Sequence, residues 1–228
     1  TAMKVAVIGA GGVGGYFGAR LAQAGHDVTF VARGRHLAAI REHGLAIESA
    51  LGDATVRCPA TDDLSALGPV DVAMLCVKLW DVEATAPKLA GIVSNGGVVI
   101  PFQNGVESAD RVAALLGPSH VLGGVAYIAA TIRAPGVIAH TGTMARLRVG
   151  AFPGGPEDRA AAFADACRSA GVEIEHTPDI RRALWEKFVF LASFSGIASA
   201  ARSPIGVVRS APDLRALAQR ITQQAATG

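Results

Sequence analysis

Gly9-Ala10-Gly11-Gly12-Val13-Gly14 fits the spacing G-x-G-x-x-G, directly after an apolar run and at the start of a helical pattern. In that context the first glycine permits a tight turn and the second lets a pyrophosphate approach the backbone. The third allows close helix–strand packing, with the phosphates on the helix N-terminus. Gly9, Ala10, Gly11, Gly12, Val13 and Gly14 are therefore candidates to hold a dinucleotide. At the end of the next strand, where an NAD site carries Asp or Glu for the ribose 2′-hydroxyl, the chain reads Val31-Ala32-Arg33-Gly34-Arg35-His36. A guanidinium suits a 2′-phosphate through bidentate, charge-assisted hydrogen bonds, so Arg33 points to NADP(H). Lys78 follows the apolar run Val72-Ala73-Met74-Leu75-Cys76-Val77, and Asn104-Gly105 follows residues 98–102 after Gln103. Taken singly, each also reads as a strand reaching water or as a turn former. Lys187, in Arg181-Arg182-Ala183-Leu184-Trp185-Glu186-Lys187-Phe188, reads from periodicity alone as a surface lysine. It shares a helix face with Leu191 and Ser195 at i+4 and i+8.

Positioning these groups requires particular elements. Strands are expected at residues 4–8, 28–31, 70–77 and 98–102, and helices at 13–24, 36–43, 82–92 and 108–116. A small hairpin pairs 45–48 with 55–57. The wholly apolar 70–77 run suits a strand buried on both faces of a parallel sheet. This βαβ order predicts a doubly wound, Rossmann-like α/β sheet with ligands at the C-terminal ends of its strands. The glycine loop, Arg33, Lys78 and Asn104 all fall on that one rim. Strands at 121–131, 137–140 and 147–150 lack intervening helices and predict an antiparallel extension of one sheet edge. A helix at 157–170 and a strand at 172–176 follow. From Asp179 onward only helix is expected, with Leu184, Phe188 and Leu191 forming a buried face. The boundary is placed at Thr177-Pro178, giving a dinucleotide-binding domain over 1–178 and the start of an all-helical substrate or dimerisation domain over 179–228.

Composition narrows the classes. Half of the residues are apolar and 18% are charged, which excludes intrinsic disorder. A net charge of +2 without a basic run gives no footprint for nucleic acid or a membrane surface. Cys58, Cys76 and Cys167 are scattered and read as small core residues of a reducing, cytosolic compartment. The stretch 188–201 is too short and too rich in serine to span a bilayer. His26, His36, His43, His120, His140 and His176 show no metal-ligand spacing, so no metal is expected. His140 is read as support for a sheet edge.

Taken together, Gly9–Gly14, Val31-Ala32-Arg33, Val77-Lys78-Leu79-Trp80, Gln103-Asn104-Gly105, His140-Thr141-Gly142 and Leu184-Trp185-Glu186-Lys187 resemble the ketopantoate reductase family over residues 4 to about 206. The resemblance implies reduction of 2-dehydropantoate to pantoate with NADPH, on the pathway to pantothenate and coenzyme A. It also implies that Lys187 donates the proton to the substrate carbonyl. Lys78 and Asn104 would contact the nicotinamide end, Asn104 would reach the substrate as well, and Ala130 would offer a backbone contact to the cofactor.

The departures fall on the substrate. The family pattern has Asn at the positions of Leu191, Ser195 and Ile205, so polar substrate contacts are lost or weakened and preference should change. Ser193, Ser195, Ser199 and Ser203 are candidate replacement hydroxyls, with Ser195 on the substrate face. A non-catalytic NADP(H)-binding sensor remains an alternative, as does a related β-hydroxyacid or opine dehydrogenase. A homodimer is compatible with an Ala-rich helical second domain. About 50 residues make that domain small, so a truncated or partly recorded chain is expected, with helices supplied by another subunit as the alternative.

Overall fold

Four short runs, each buried along almost its whole length, form the centre of the molecule: β1 (Lys4–Ile8), β2 (Asp27–Val31), β6 (Val72–Leu75) and β7 (Val98–Pro101). Near-continuous apolar strands of this kind need cover on both faces, which parallel sheets obtain from crossover helices. The computed structural model describes residues 2–227. In it β5 (Ala60–Thr61) joins these four in an all-parallel sheet of order β5-β2-β1-β6-β7. The strand order reverses between β1 and β6, which opens a crevice at their C-terminal ends.

A second sheet packs across α1 (Gly12–Gln23). It is built from β3 (Leu45–Ser49), β4 (Ala54–Val56), β8 (Leu122–Ala134), β9 (Val137–Ala151) and β10 (Glu173–His176). The expected edge extension meets the parallel sheet at one bridge only, Val99 to Val121, and the later strands form this sheet of their own. The two expected strands at 137–140 and 147–150 are one strand, β9. Opposite Ala129, four residues of β9 (141–144) loop out of register, with Gly142 at φ +76°, and pairing then resumes. His140 lies beside this bulge. Its Nδ1 accepts from Ser49 Oγ at 2.8 Å and its Nε2 donates to the Met144 carbonyl at 3.0 Å.

Small residues allow α1 to serve both sheets. A Cβ on Gly18 would stand 2.7 Å from Val7 and 2.8 Å from Phe30, and one on Gly15 would stand 2.9 Å from Ile138. Phe17, Phe30 and Phe163 fill the core between the layers and are fully buried. The opposite face of the parallel sheet is covered by α3 (Val82–Thr85), the 3₁₀ turn Ala86–Leu89 and α4 (Ser108–Leu116), through Val82, Leu89 and Val112. The single helix expected at 82–92 is broken there because Pro87 removes a donor and restricts the residue before it.

α2 (Gly34–His43) follows β2, and α5 (Glu157–Ser169) packs against β9 and β10. α6 (Ile180–Ala200) starts at Asp179, whose carboxylate accepts the Arg182 N–H at 3.0 Å and caps the helix. Ile180, Ala183 and Leu184 seat its first turns on Val125 of β8, so the elements on either side of residue 178 share a core. α7 (Ile205–Ser210) and α8 (Pro212–Thr227) close on its far end around Ile197, Val208 and Ala218. Among the described residues no helix is long and apolar enough to cross a membrane.

Candidate active site

The crevice at the rim of the parallel sheet is a cleft of about 660 Å³. Gly9, Ala10 and Gly11 form its floor, Arg33 and His36 stand on one side, and Lys78 and Asp81 on the other. The floor follows from the backbone. Gly9 takes φ +104°, open to glycine at little steric cost, with the Cys76 backbone 2.9 Å from where a Cβ would stand. At Gly12 a Cβ would lie 2.0 Å from the Ala130 carbonyl oxygen, so β8 presses directly on the start of α1. That helix follows Gly11 at its N-cap, with no side-chain cap and no acid in its first turn. Its first N–H groups therefore have no intrahelical partner and point with the positive end of the dipole toward the cleft. An open glycine floor, a free helix N-terminus and a basic side group fit the diphosphate of a dinucleotide.

Arg33 is the residue before α2, in extended conformation, with an exposed side chain. Among the described residues its guanidinium has no ion-pair partner. Two carboxylates unnoticed in the sequence, Asp62 and Asp63, line the same cleft. Asp63 is engaged by Ser65 through both N–H and hydroxyl, which lowers its pKa.

His36 was also unforeseen as a site residue. Its Nδ1 accepts the Gly136 N–H at 2.9 Å, which leaves Nε2 to donate to the Ala10 carbonyl at 2.7 Å. The ring thereby ties the glycine loop to the β8–β9 turn. Gln103, buried between β6 and β7, donates to the Leu75 and Val77 carbonyls, both at 2.9 Å, and fixes the strand ends that carry Lys78 and Asn104. A signal for these two existed only in their place beside motif residues.

Lys78 lines the large cleft, whereas Asn104 lines an adjoining pocket of about 410 Å³ with Leu191 and Ser195. Leu79, next to Lys78, lines that second pocket, so the two depressions meet at residues 78–79. The buried face expected on α6 is buried at Leu184 only. Phe188 is 39% exposed and Leu191 half-buried, because both border this pocket. Of the four serines singled out, Ser195 alone borders the pocket; Ser193 donates to the Val189 carbonyl at 2.7 Å and Ser203 to that of Ala201 at 3.0 Å.

Lys187 borders neither depression. It lies between α6 and β8, where Nζ donates to the Ala126 carbonyl at 2.5 Å and stands 5.5 Å from the centre of the Tyr127 ring. Burial, which disfavours the ammonium, lowers its pKa from 10.5 to about 8. The preceding residue, Glu186, is bound by Arg148 at 2.8 Å and by Arg182 at 2.9 Å, and these arginines hold its carboxyl below the usual range. Strand β8 thus carries Ala126 under the lysine and, four residues on, Ala130 against Gly12, about 13 Å apart along an extended strand. Among the described residues no group of three or more His, Cys, Asp or Glu is placed to hold a metal ion. Cys58, Cys76 and Cys167 are free thiols, the last buried.

Comparison with known proteins adds four likenesses. The family model described as ketopantoate reductase PanE/ApbA matches residues 5–154. A 2-dehydropantoate 2-reductase of Archaeoglobus fulgidus is 33% identical over 221 residues, 97% of this chain and 72% of that protein. Two solved structures cover similar shares. A PanE/ApbA family ketopantoate reductase from Ralstonia eutropha JMP134 is 32% identical with a TM-score of 0.84, over 99% of this chain and 73% of that one. A 2-dehydropantoate 2-reductase from Geobacter metallireducens GS-15 is 29% identical with a TM-score of 0.90, over 98% and 74%.

Proposed function

Because the chain belongs to the ketopantoate reductase family, NAD(P)H-dependent oxidoreductases acting on CH–OH, we propose that it reduces the ketone of 2-dehydropantoate or a related small 2-oxo acid with NADPH. Acting on 2-dehydropantoate would place it in the synthesis of pantothenate and coenzyme A. The observation that carries the reading is β8, whose Ala126 carbonyl accepts from the desolvated Lys187 and whose Ala130 packs on Gly12, next to the glycine floor of the cleft.

Bound NADPH supplies the hydride that the 2-oxo carbon accepts. The chain's own residues do the rest. Gly9 to Gly14 and the N-terminus of α1 would hold the diphosphate, with the Ala130 backbone packed on Gly12 beside them. Arg33 clamps the 2′-phosphate, while Lys78 and Asn104 orient the nicotinamide end. As hydride reaches the carbonyl carbon, negative charge grows on its oxygen. The Lys187 ammonium stabilises that charge and gives the oxygen its proton, becoming a neutral amine. A pKa of about 8 makes this transfer far easier than from an exposed lysine.

Lys187→Met tests the assignment. Turnover should fall by at least ~10³-fold, with NADPH affinity kept within about twofold, since general acid catalysis and oxyanion stabilisation act together here. Undiminished turnover excludes Lys187 as the proton donor. A second reading of the cofactor rests on Asp62, a carboxylate in the same cleft that would suit the ribose hydroxyls of NADH. The ratio of kcat/KM with NADPH to that with NADH decides between them.

A further inference from the structure

Building on the reductase reading above, we infer that the preferred substrates are 2-oxo acids whose side chain is wholly apolar, without the hydroxyl of 2-dehydropantoate. The pocket beside the cofactor cleft is walled by Leu79, Val106, Phe188 and Leu191, with Asn104 and Ser195 at its border. Its one carboxylate, Glu107, is held by Arg111 at 2.6 Å and is thereby committed. No lysine or arginine lines it, so it offers no cation to the carboxylate end of a substrate.

Position ties this pocket to the reacting centre. Leu79 directly follows Lys78 of the cofactor cleft, and Asn104 stands at the end of the neighbouring strand, β7. On α6, Leu191 lies one turn beyond Lys187 on the same face, about 6 Å along the axis, and Ser195 about 12 Å. Lys187 itself stands outside the pocket, and a substrate reaching from it along this face of α6 would set its side chain over Leu191. Its carboxylate is left on the cleft side, near Lys78.

The chemistry of the wall then decides preference. The uncharged polar groups of the pocket are Asn104, Ser108 and Ser195; a hydroxyl seated instead against the wall that Leu191 and Phe188 form exchanges water for hydrocarbon, whereas a methyl group gains from the same transfer. An apolar pocket discriminates against an added hydroxyl by up to ~10²-fold, while a site built to bond the hydroxyl rejects the deoxy compound by ~10⁴-fold or more. The two designs predict opposite orders for one matched pair.

The pair is 2-dehydropantoate and 3,3-dimethyl-2-oxobutanoate, which differ by that one hydroxyl oxygen. NADPH oxidation by the protein is followed with each. The expected result is a kcat/KM higher for 3,3-dimethyl-2-oxobutanoate by about 10- to 100-fold. In Leu191→Asn, which supplies a partner for the hydroxyl, that ratio should fall at least ~10-fold. A preference for 2-dehydropantoate in the unaltered protein overturns the inference and leaves the reductase reading standing. Binding of NADPH without its oxidation by either oxo acid overturns the reductase reading itself. The unaltered protein decides the matter even if Leu191→Asn fails to fold.

Discussion

The desolvated lysine has a thermodynamic signature that can be read without any substrate. Lys187 titrates at about 8 in the folded protein and at 10.5 when exposed. Between these values the unfolded chain binds a proton that the folded chain has released, so the free energy of unfolding rises with pH across that window. Below pH 8 both states are protonated, and the whole cost of burying the cation weighs on the fold. Above 10.5 both are neutral and the cost is gone. The displacement corresponds to at most about 3 kcal/mol. Because solvent still reaches part of the side chain, about 1–2 kcal/mol is the expected net effect. Lys187→Met keeps the length of the side chain and removes the charge. Urea unfolding of both proteins at closely spaced pH values isolates the lysine, since every other titrating group cancels in the difference. The variant should gain on the parent below pH 8, and the gap should close by about 1–2 kcal/mol toward 10.5. A gap independent of pH would show that the lysine is not desolvated and would remove the physical basis for its use as an acid. In the parent, ketone reduction should likewise decline as pH rises through about 8, because the ammonium form is the proton source.

Two further perturbations address the cofactor end. Arg33→Glu should weaken NADPH at least ~10-fold more than NADH, as measured by fluorescence titration, because a carboxylate replaces a bidentate phosphate partner; equal losses would place the 2′-phosphate elsewhere. Gly12→Ala puts a methyl group 2.0 Å from the Ala130 carbonyl oxygen. The β8–β9 hairpin must then move, so NADPH affinity should fall at least ~10-fold and thermal stability by several degrees, in keeping with an overpacking cost of about 1–3 kcal/mol.

The parallel core was legible because its strands are apolar along most of their length and its first turn is spelled in glycine. Of the residues placed on that rim, Gly9 to Gly11, Arg33 and Lys78 border one cleft, while Asn104 borders the adjoining pocket. Local pattern failed where long-range pairing decides structure. The two runs at 137–140 and 147–150 join into β9 because β3 pairs with one half and β10 with the other, a choice no local window contains. Pro87 was visible, but the apolar spacing around it favoured an unbroken helix. The burial of Lys187 was invisible to periodicity, since it depends on a carbonyl 61 residues away. The bonds of His36 to Ala10 and Gly136 likewise depend on partners distant in sequence. The apolar lining at Leu191 was readable as a departure from a family pattern, whereas the pocket it forms with Phe188 and the loop after β7 was not.

The contact between Gly12 and Ala130 also bears on how the molecule is made. The glycine loop precedes its roof by more than a hundred residues, and β3 precedes Val137 to His140 of β9, its partners, by 91. Pairings this distant in sequence carry a large loop-closure cost and form late. The nascent first half, with its sheet edge and α1 uncovered, holds the phosphate turn without its clamp. Competence to bind the dinucleotide thus arrives with the β8–β9 hairpin, so the nucleotide is a ligand of the folded chain alone and protects it from unfolding by mass action.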